Sequence, residues 1–188
     1  MQLDLSGNQL CGINAFGRGT YTAEGITAIA EALKVTGSLT SLSLGDNPLG
    51  DQGIEALSIG LKESKSLATL DLHNHYTNDE YKFGPKGAAA LASAIAVMGS
   101  LTSLNLQNNN IGNEGATAIA KGLEDNGSLT TLGISWNMIG HEGAAAIAKG
   151  LSDNGSLTSL NLYNNKLDEP AKAALRTAAR PALKLYMD

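Results

Sequence analysis

The sequence predicts an α/β solenoid, a curved stack of strand–helix units. A parallel β-sheet should line its concave face and α-helices its convex face, in about six repeats of 28 residues. Three observations carry this. Segments 39–66, 101–128 and 129–156 align without a gap. The apolar spacing changes from two to three-and-a-half residues partway through each unit. Small residues and asparagines recur at fixed places at the joins. A fixed period of this length is the mark of a repeat architecture.

The units follow in order. The first, 1–38, lacks the leading leucine and carries a long insertion. Units 39–66, 101–128 and 129–156 are regular, and 67–100 is the same unit with six extra residues after its strand. The last unit, 157–180, ends in a different tail, and 181–188 supplies a closing strand. All of 1–188 reads as one domain.

Within a unit, LxxLxL places Leu42/Leu44, Leu104/Leu106 and Leu160/Leu162 two apart, the spacing of a strand. Ile54, Leu57 and Leu61 then fall on one helix face, as do Ala116, Ile119 and Leu123, and Ala144, Ile147 and Leu151. One unit cannot bury such a face alone, but a stack makes a continuous core. Strands repeat at about 4.8 Å and helices at about 8–10 Å, so the helix side is longer and the stack must bend.

Gly53, Gly87, Gly115 and Gly143 recur at one helical position, where a side chain is expected to hold the helix off the sheet. The Asn-Gly pairs at 126–127 and 154–155 are expected to stop helices with a left-handed residue. Asn8, Asn47, Asn109, Asn137 and Asn165 close each strand, with His75 in that column in the third unit. Their amides are expected to bond backbone groups of adjacent turns, where bare donors and acceptors are costly.

The pattern LxxLxLxxNxIGxxGAxAIAxGL, read at Leu101–Leu123 and again at Leu129–Leu151, resembles the ribonuclease-inhibitor-like class of leucine-rich repeats. That class also forms the C-terminal repeats of NOD-like receptors and the Ran GTPase-activating proteins. The resemblance spans essentially the whole chain, departing from the pattern in the two insertions and the tail. It implies the horseshoe fold and admits both a protein-recognition module and a GTPase-activator-like regulator; no cofactor is expected.

Composition narrows the partner. Thirteen basic against eighteen acidic residues give a net charge of -5, the wrong sign for a nucleic-acid backbone. No apolar run is long enough to span a bilayer. Cys11 is the single cysteine, which excludes an intrachain disulfide and a cysteine zinc cluster and suits a reducing, cytoplasmic setting. The Asn-Gly-Ser sequons at Asn126 and Asn154 read as by-products of the helix stops. No P-loop, nucleophile elbow or triad is present, so no enzyme is expected. In DLHNH, Asp71 and His73 share the concave face while His75 points elsewhere, leaving too few ligands for zinc, and no metal is expected.

Binding chemistry should lie where the units differ. The outward strand positions read Asp4, Ser6, Gly7; Ser43, Gly45, Asp46; Asp71, His73, Asn74; Asn105, Gln107, Asn108; Gly133, Ser135, Trp136; and Asn161, Tyr163, Asn164, with Lys184 and Tyr186 on the closing strand. None of the eight aromatic residues takes a core leucine or helix-face position. Trp136, Tyr163 and Tyr186 fall on successive strands, and with Asn108, Asn164, Asp71 and His73 they form the candidate partner surface, since interfaces use Trp and Tyr as anchors. The alternative is that these rings cover the C-terminal edge. The insertions supply rim-loop candidates, Phe16, Arg18 and Tyr21 in one and Tyr76, Tyr81 and Phe83 in the other. They either bind or fold back as a shield. Cys11 reads as a partly buried thiol.

The chain opens inside a strand without a polar cap, so association through that edge, or further N-terminal sequence, is expected. Its other end, from Pro170 with Arg176 and Arg180 on a polar helix face and Pro181 beyond, reads as a cap. Two other readings stay open. One is a GTPase-activator-like regulator, with Arg18 supplied to another enzyme's phosphate site. The other is an orphan or engineered scaffold.

Overall fold

The computed structural model describes residues 1–14, 18–75 and 81–188. Seven short strands alternate with six helices among them: β1 (Gln2–Asp4), α1 (Glu24–Val35), β2 (Ser41–Ser43), α2 (Gly50–Glu63), β3 (Thr69–Asp71), α3 (Pro85–Ile95), β4 (Ser103–Asn105), α4 (Gly112–Glu124), β5 (Thr131–Gly133), α5 (His141–Asp153), β6 (Ser159–Asn161), α6 (Glu169–Ala178) and β7 (Lys184–Tyr186). The strands form one parallel sheet in sequence order. The register never slips: Leu3, Leu42, Leu70, Leu104, Leu132, Leu160 and Leu185 are paired across successive strands. Helices pack on their sequence neighbours, as a solenoid requires.

The leucine row faces the helices and, from Leu42 to Leu160, is fully buried, as are Leu44, Leu106, Ile134 and Leu162 two residues on. Ile54, Leu57 and Leu61 of α2 and their counterparts on α4 and α5 close over them. The predicted core is therefore the observed one, with one addition. Tyr21, Leu49, Phe83, Ile111 and Ile139 form a column just before each helix. Phe83 is fully buried there, and Tyr21 packs on the core while its hydroxyl donates to the Leu49 carbonyl. Both were expected on a rim loop. Their position relative to the helical glycine, four residues on in each case, shows that each ends its insertion rather than belonging to it.

Polar side chains sew each unit to the one before. The amide of Asn137 donates to the carbonyls of Leu106, 2.9 Å away in the preceding unit, and of Ser135 in its own. Asn47, Asn109 and Asn165 repeat this with Leu5, Leu72 and Ile134. In the third unit the buried member is Asn74, not His75, which is exposed. Asn165 Oδ1 accepts the N–H of Asn137 and Ile139, and Asn137 Oδ1 that of Ile111. Asn47 Oδ1 and Asn109 Oδ1 have no partner, and these are the two amides whose preceding unit carries an insertion.

A second seam runs at the strand entrance through the Ser-Leu-Thr motif. Ser128 and Ser156 donate to the carbonyls of Leu101 and Leu129, and Thr130 and Thr158 to those of Thr102 and Thr130. The helix stops are made differently from expectation. Gly127 and Gly155 are not left-handed. Instead the buried Asn126 and Asn154 amides donate to carbonyls ending the preceding helix, while their oxygens cap Ser128–Leu129 and Ser156–Leu157. Both sequon nitrogens are thus occupied and buried.

The glycine column faces the preceding unit, not the sheet. A Cβ on Gly115 would stand 2.7 Å from Ile111 and 2.9 Å from Ala88. A second column, Gly60, Gly122 and Gly150, lets helices approach more closely still, for a Cβ on Gly122 would meet the Ala92 carbonyl at 2.7 Å. Capping also crosses units. Asp51 Oδ1 accepts the N–H of Gly84 and Gly87 at the start of α3, and Asn113 Oδ1 those of Gly140 and Gly143 at the start of α5. At the C-terminus, α6 ends before Arg180, which reaches back to the Leu157 carbonyl rather than extending the helix.

Replacing Asn137 by alanine strips partners from buried carbonyls on two units, so N137A should lose about 2 kcal/mol of stability. N8A, at the exposed first member of the column, should lose less than about 0.5 kcal/mol. Urea unfolding of both variants against wild type checks the difference.

Candidate functional site

The concave face divides into two parts with different chemistry. At the C-terminal end, Trp136 sits just beyond β5 at φ 56°, in the left-handed region. Asp46, Asn108 and Asn164 hold the same turn in their own units, at φ 53°, 58° and 54°. Trp136 and these asparagines therefore stand on the rim where the chain leaves the sheet, not on the strand faces. The turn remains tied to the stack, because the Trp136 N–H donates to the Tyr163 carbonyl at 3.0 Å.

Met138 is left-handed too, at φ 57°. Trp136, Met138, Tyr163 and Tyr186 are 53%, 43%, 42% and 42% exposed. The Tyr163 and Tyr186 rings lie 6.4 Å apart. Trp136 and Met138 line an open groove with Lys82, Asn108, Asn164 and Lys166. Lys82 Nζ donates to Asn108 Oδ1, and Asp188 accepts the Asn164 N–H. A shallow trough over Gly133 runs from Asn105 to Tyr186. These hollows, about 240 and 290 Å³, fall below the roughly 300–1,000 Å³ of small-molecule pockets. Their shape suits a macromolecular surface.

Much of the remaining face has structural work. Asp4, Asp71, Asn105 and Asn161 each accept the N–H two residues on, a group the parallel ladder leaves unpaired. Gly45 and Ser135, expected to face outward, are buried.

The second part lies over β2 and β3. His73 Nδ1 is 2.8 Å from Asp71 Oδ1, and its Nε2 is 3.4 Å from Asp46 Oδ2. His75 comes to the same aspartate: its N–H donates to Asp46 Oδ1 at 2.6 Å and its Nδ1 lies 3.3 Å away. The two imidazole centroids are 4.7 Å apart. The expectation that His75 points away is thus overturned: both its backbone N–H and its ring come to Asp46. Gly45 makes the arrangement fit, because any Cβ there would collide with the His73 ring. Burial opposes the His73 charge, but Asp71 and Asp46 outweigh it and raise its pKa above 6.5. Burial would raise Asp46, but the His75 N–H and ring, with His73, hold its carboxyl below the usual value.

The first insertion folds back. Ile13 and Gly19 form an antiparallel bridge, Asn14 N–H donates to the Arg18 carbonyl, and Ile13 and Cys11 are fully buried. Arg18 is exposed. Burial pushes the Cys11 thiol above its ordinary value, against a bond with Tyr21. Tyr21 and Tyr81, one from each insertion-bearing unit, line a groove with Asp51 and Gln52. Phe16 and Tyr76 lie outside the described residues.

Comparison with known proteins agrees with this architecture. Residues 38–58, 100–120 and 125–148 match the family model described as Leucine Rich repeat. No curated protein matches the sequence significantly. Among solved structures the chain is similar to the tropomodulin C-terminal domain of Caenorhabditis elegans, at 20% identity over 81% of this chain and 83% of that one, with a TM-score of 0.59. It is also similar to a structure titled Leiomodin-1 Actin-Binding Site 2, at 19% identity over 93% and 77%, with a TM-score of 0.52. The fold is a leucine-rich-repeat solenoid, a class of scaffold typically used in protein–protein interaction. Among the described residues no helix is long and apolar enough to cross a membrane.

Two measurements test the local chemistry. His141 Nδ1, 3.1 Å from both Asp168 oxygens, and then the Ala171 N–H hold the Asp168 carboxyl below 3.8. A depressed carboxyl contributes stability above its unfolded pKa and loses it as pH falls through the folded value. D168A should therefore be less stable than wild type at pH 6 and converge with it as pH falls through the lowered carboxyl pKa; urea midpoints from neutral to acidic pH check this. Cys11 should resist a thiol reagent until the chain is unfolded by denaturant.

Proposed function

We propose that this chain is a non-catalytic recognition module of the ribonuclease-inhibitor-like type. It binds a protein partner over the C-terminal half of the concave face and the adjoining rim. A full α-helix after each of the first six strands and a regular unit of 28 residues support the subtype. One observation carries the function: Trp136, Met138, Tyr163 and Tyr186 form a run of exposed apolar side chains on consecutive turns of a fixed scaffold. The polar neighbours Asn108, Asn164 and Lys166 rim it. A hydrophobic centre with a polar rim, held rigid before contact, is the anatomy of a protein-binding surface.

The leiomodin structure carries actin in its title. Likeness at 19% identity reaches the fold and does not select actin here. Arg18 belongs to the first unit, at the other end of the sheet from this patch. A cytoplasmic setting is consistent with the single buried thiol and the two occupied sequon amides.

A photo-reactive phenylalanine analogue at Tyr163 should cross-link one specific partner in extract of the source organism. W136A should reduce capture at least about tenfold, the loss of one anchor of roughly 1.4 kcal/mol or more, with an unchanged melting temperature. Equal capture by W136A would refute the patch as the binding surface.

A further inference from the structure

We infer that the concave rim over β2 and β3 is a binding site for one divalent transition-metal ion of the zinc type, held by Asp46, His73 and His75. The donor atoms of these three residues lie within 4.8 Å of one another, from two units and two sides. Two of the separations already match the ion. His73 Nε2 to Asp46 Oδ2 is 3.4 Å and His75 Nδ1 to Asp46 is 3.3 Å. Bonds of about 2.0–2.1 Å in a tetrahedron require ligand–ligand edges of roughly 3.3–3.4 Å. Closing the remaining edge needs only rotation of the exposed His75 side chain. Imidazole and carboxylate donors suit zinc, cobalt, nickel or copper rather than magnesium or calcium.

A second, independent feature points the same way. Asp71 Oδ1 bonds Nδ1 of His73, 2.8 Å away. When Nδ1–H donates to Asp71, Nε2, which faces Asp46, is the ring nitrogen a metal would bind in place of a proton. A carboxylate behind a metal-bound histidine fixes the ring and its tautomer in this way. Asp71 is a positioning residue in this account. It is itself fixed, since the same oxygen accepts the His73 backbone N–H. Gly45 keeps open the volume that the His73 ring occupies. Three protein ligands leave a fourth position for water.

The test uses the full chain, stripped with chelator and titrated with ZnCl2 and CoCl2 by calorimetry and visible absorption. One ion should bind per chain, and cobalt should give the visible bands of a low-coordinate site with nitrogen and oxygen donors. H73A, H75A and D46N should each weaken binding at least tenfold. H141A removes the chain's one other histidine and should bind as wild type. D71N should weaken binding about tenfold and shift the cobalt bands, while circular dichroism and melting stay unchanged. Failure to bind zinc or cobalt at 100 µM, on the order of a weak surface site, overturns the proposal. So does binding that survives both H73A and H75A. Because D46N could disturb the turn, H75A, at an exposed side chain, is the deciding variant if D46N melts early.

Discussion

The structure depends on a single constraint: no repeat can satisfy its own backbone at its ends. Where the chain leaves the sheet its carbonyls turn away from the ladder, and in a buried setting each bare one costs roughly 1–3 kcal/mol. The asparagine side chain answers this by reaching one unit back and one strand end forward at once. Serine, threonine and a second asparagine do the same at the strand entrance and the helix exit. The apolar core sets the stacking distance, but these bonds fix the register, and so the sheet presents a nearly rigid surface. Rigidity is what makes an exposed Trp136 useful, since little ordering entropy is lost when a partner meets it.

The same constraint explains where the pattern breaks. Unpartnered amide oxygens occur on Asn47 and Asn109, next to the two units that carry insertions. An insertion moves away the N–H that would have paired with them. In the third unit, next to the second insertion, Asn74 is buried and His75 is exposed and lies beside Asp46.

The period, the strand rows, the helix faces and the exposed C-terminal aromatics were legible in the sequence because each depends on spacing within one unit. What failed depended on contacts between units. Phe83 and Tyr21 looked like loop residues because the insertions hid their alignment with Leu49 and Ile111. His75 looked solitary because its partner, Asp46, lies one turn away on another strand. Met138 was detectable in principle, since it stands where other units carry Pro48, Asn110 and Lys166, but its left-handed backbone was not. Asn-Gly suggested a glycine stop, whereas the amide performs it.

The cross-unit caps have a further consequence. Asp51 serves the helix of the third unit and Asn113 that of the fifth, whereas the sixth is capped by its own Asp168. Units two and three, and units four and five, are therefore doublets whose two members are not interchangeable. Splicing in a single unit would bring two cap donors, or two cap acceptors, side by side, and one helix end would go bare. The smallest piece this array can gain or lose cleanly is a pair, so its natural step of growth, by duplication or by engineering, is twice the period that its sequence displays.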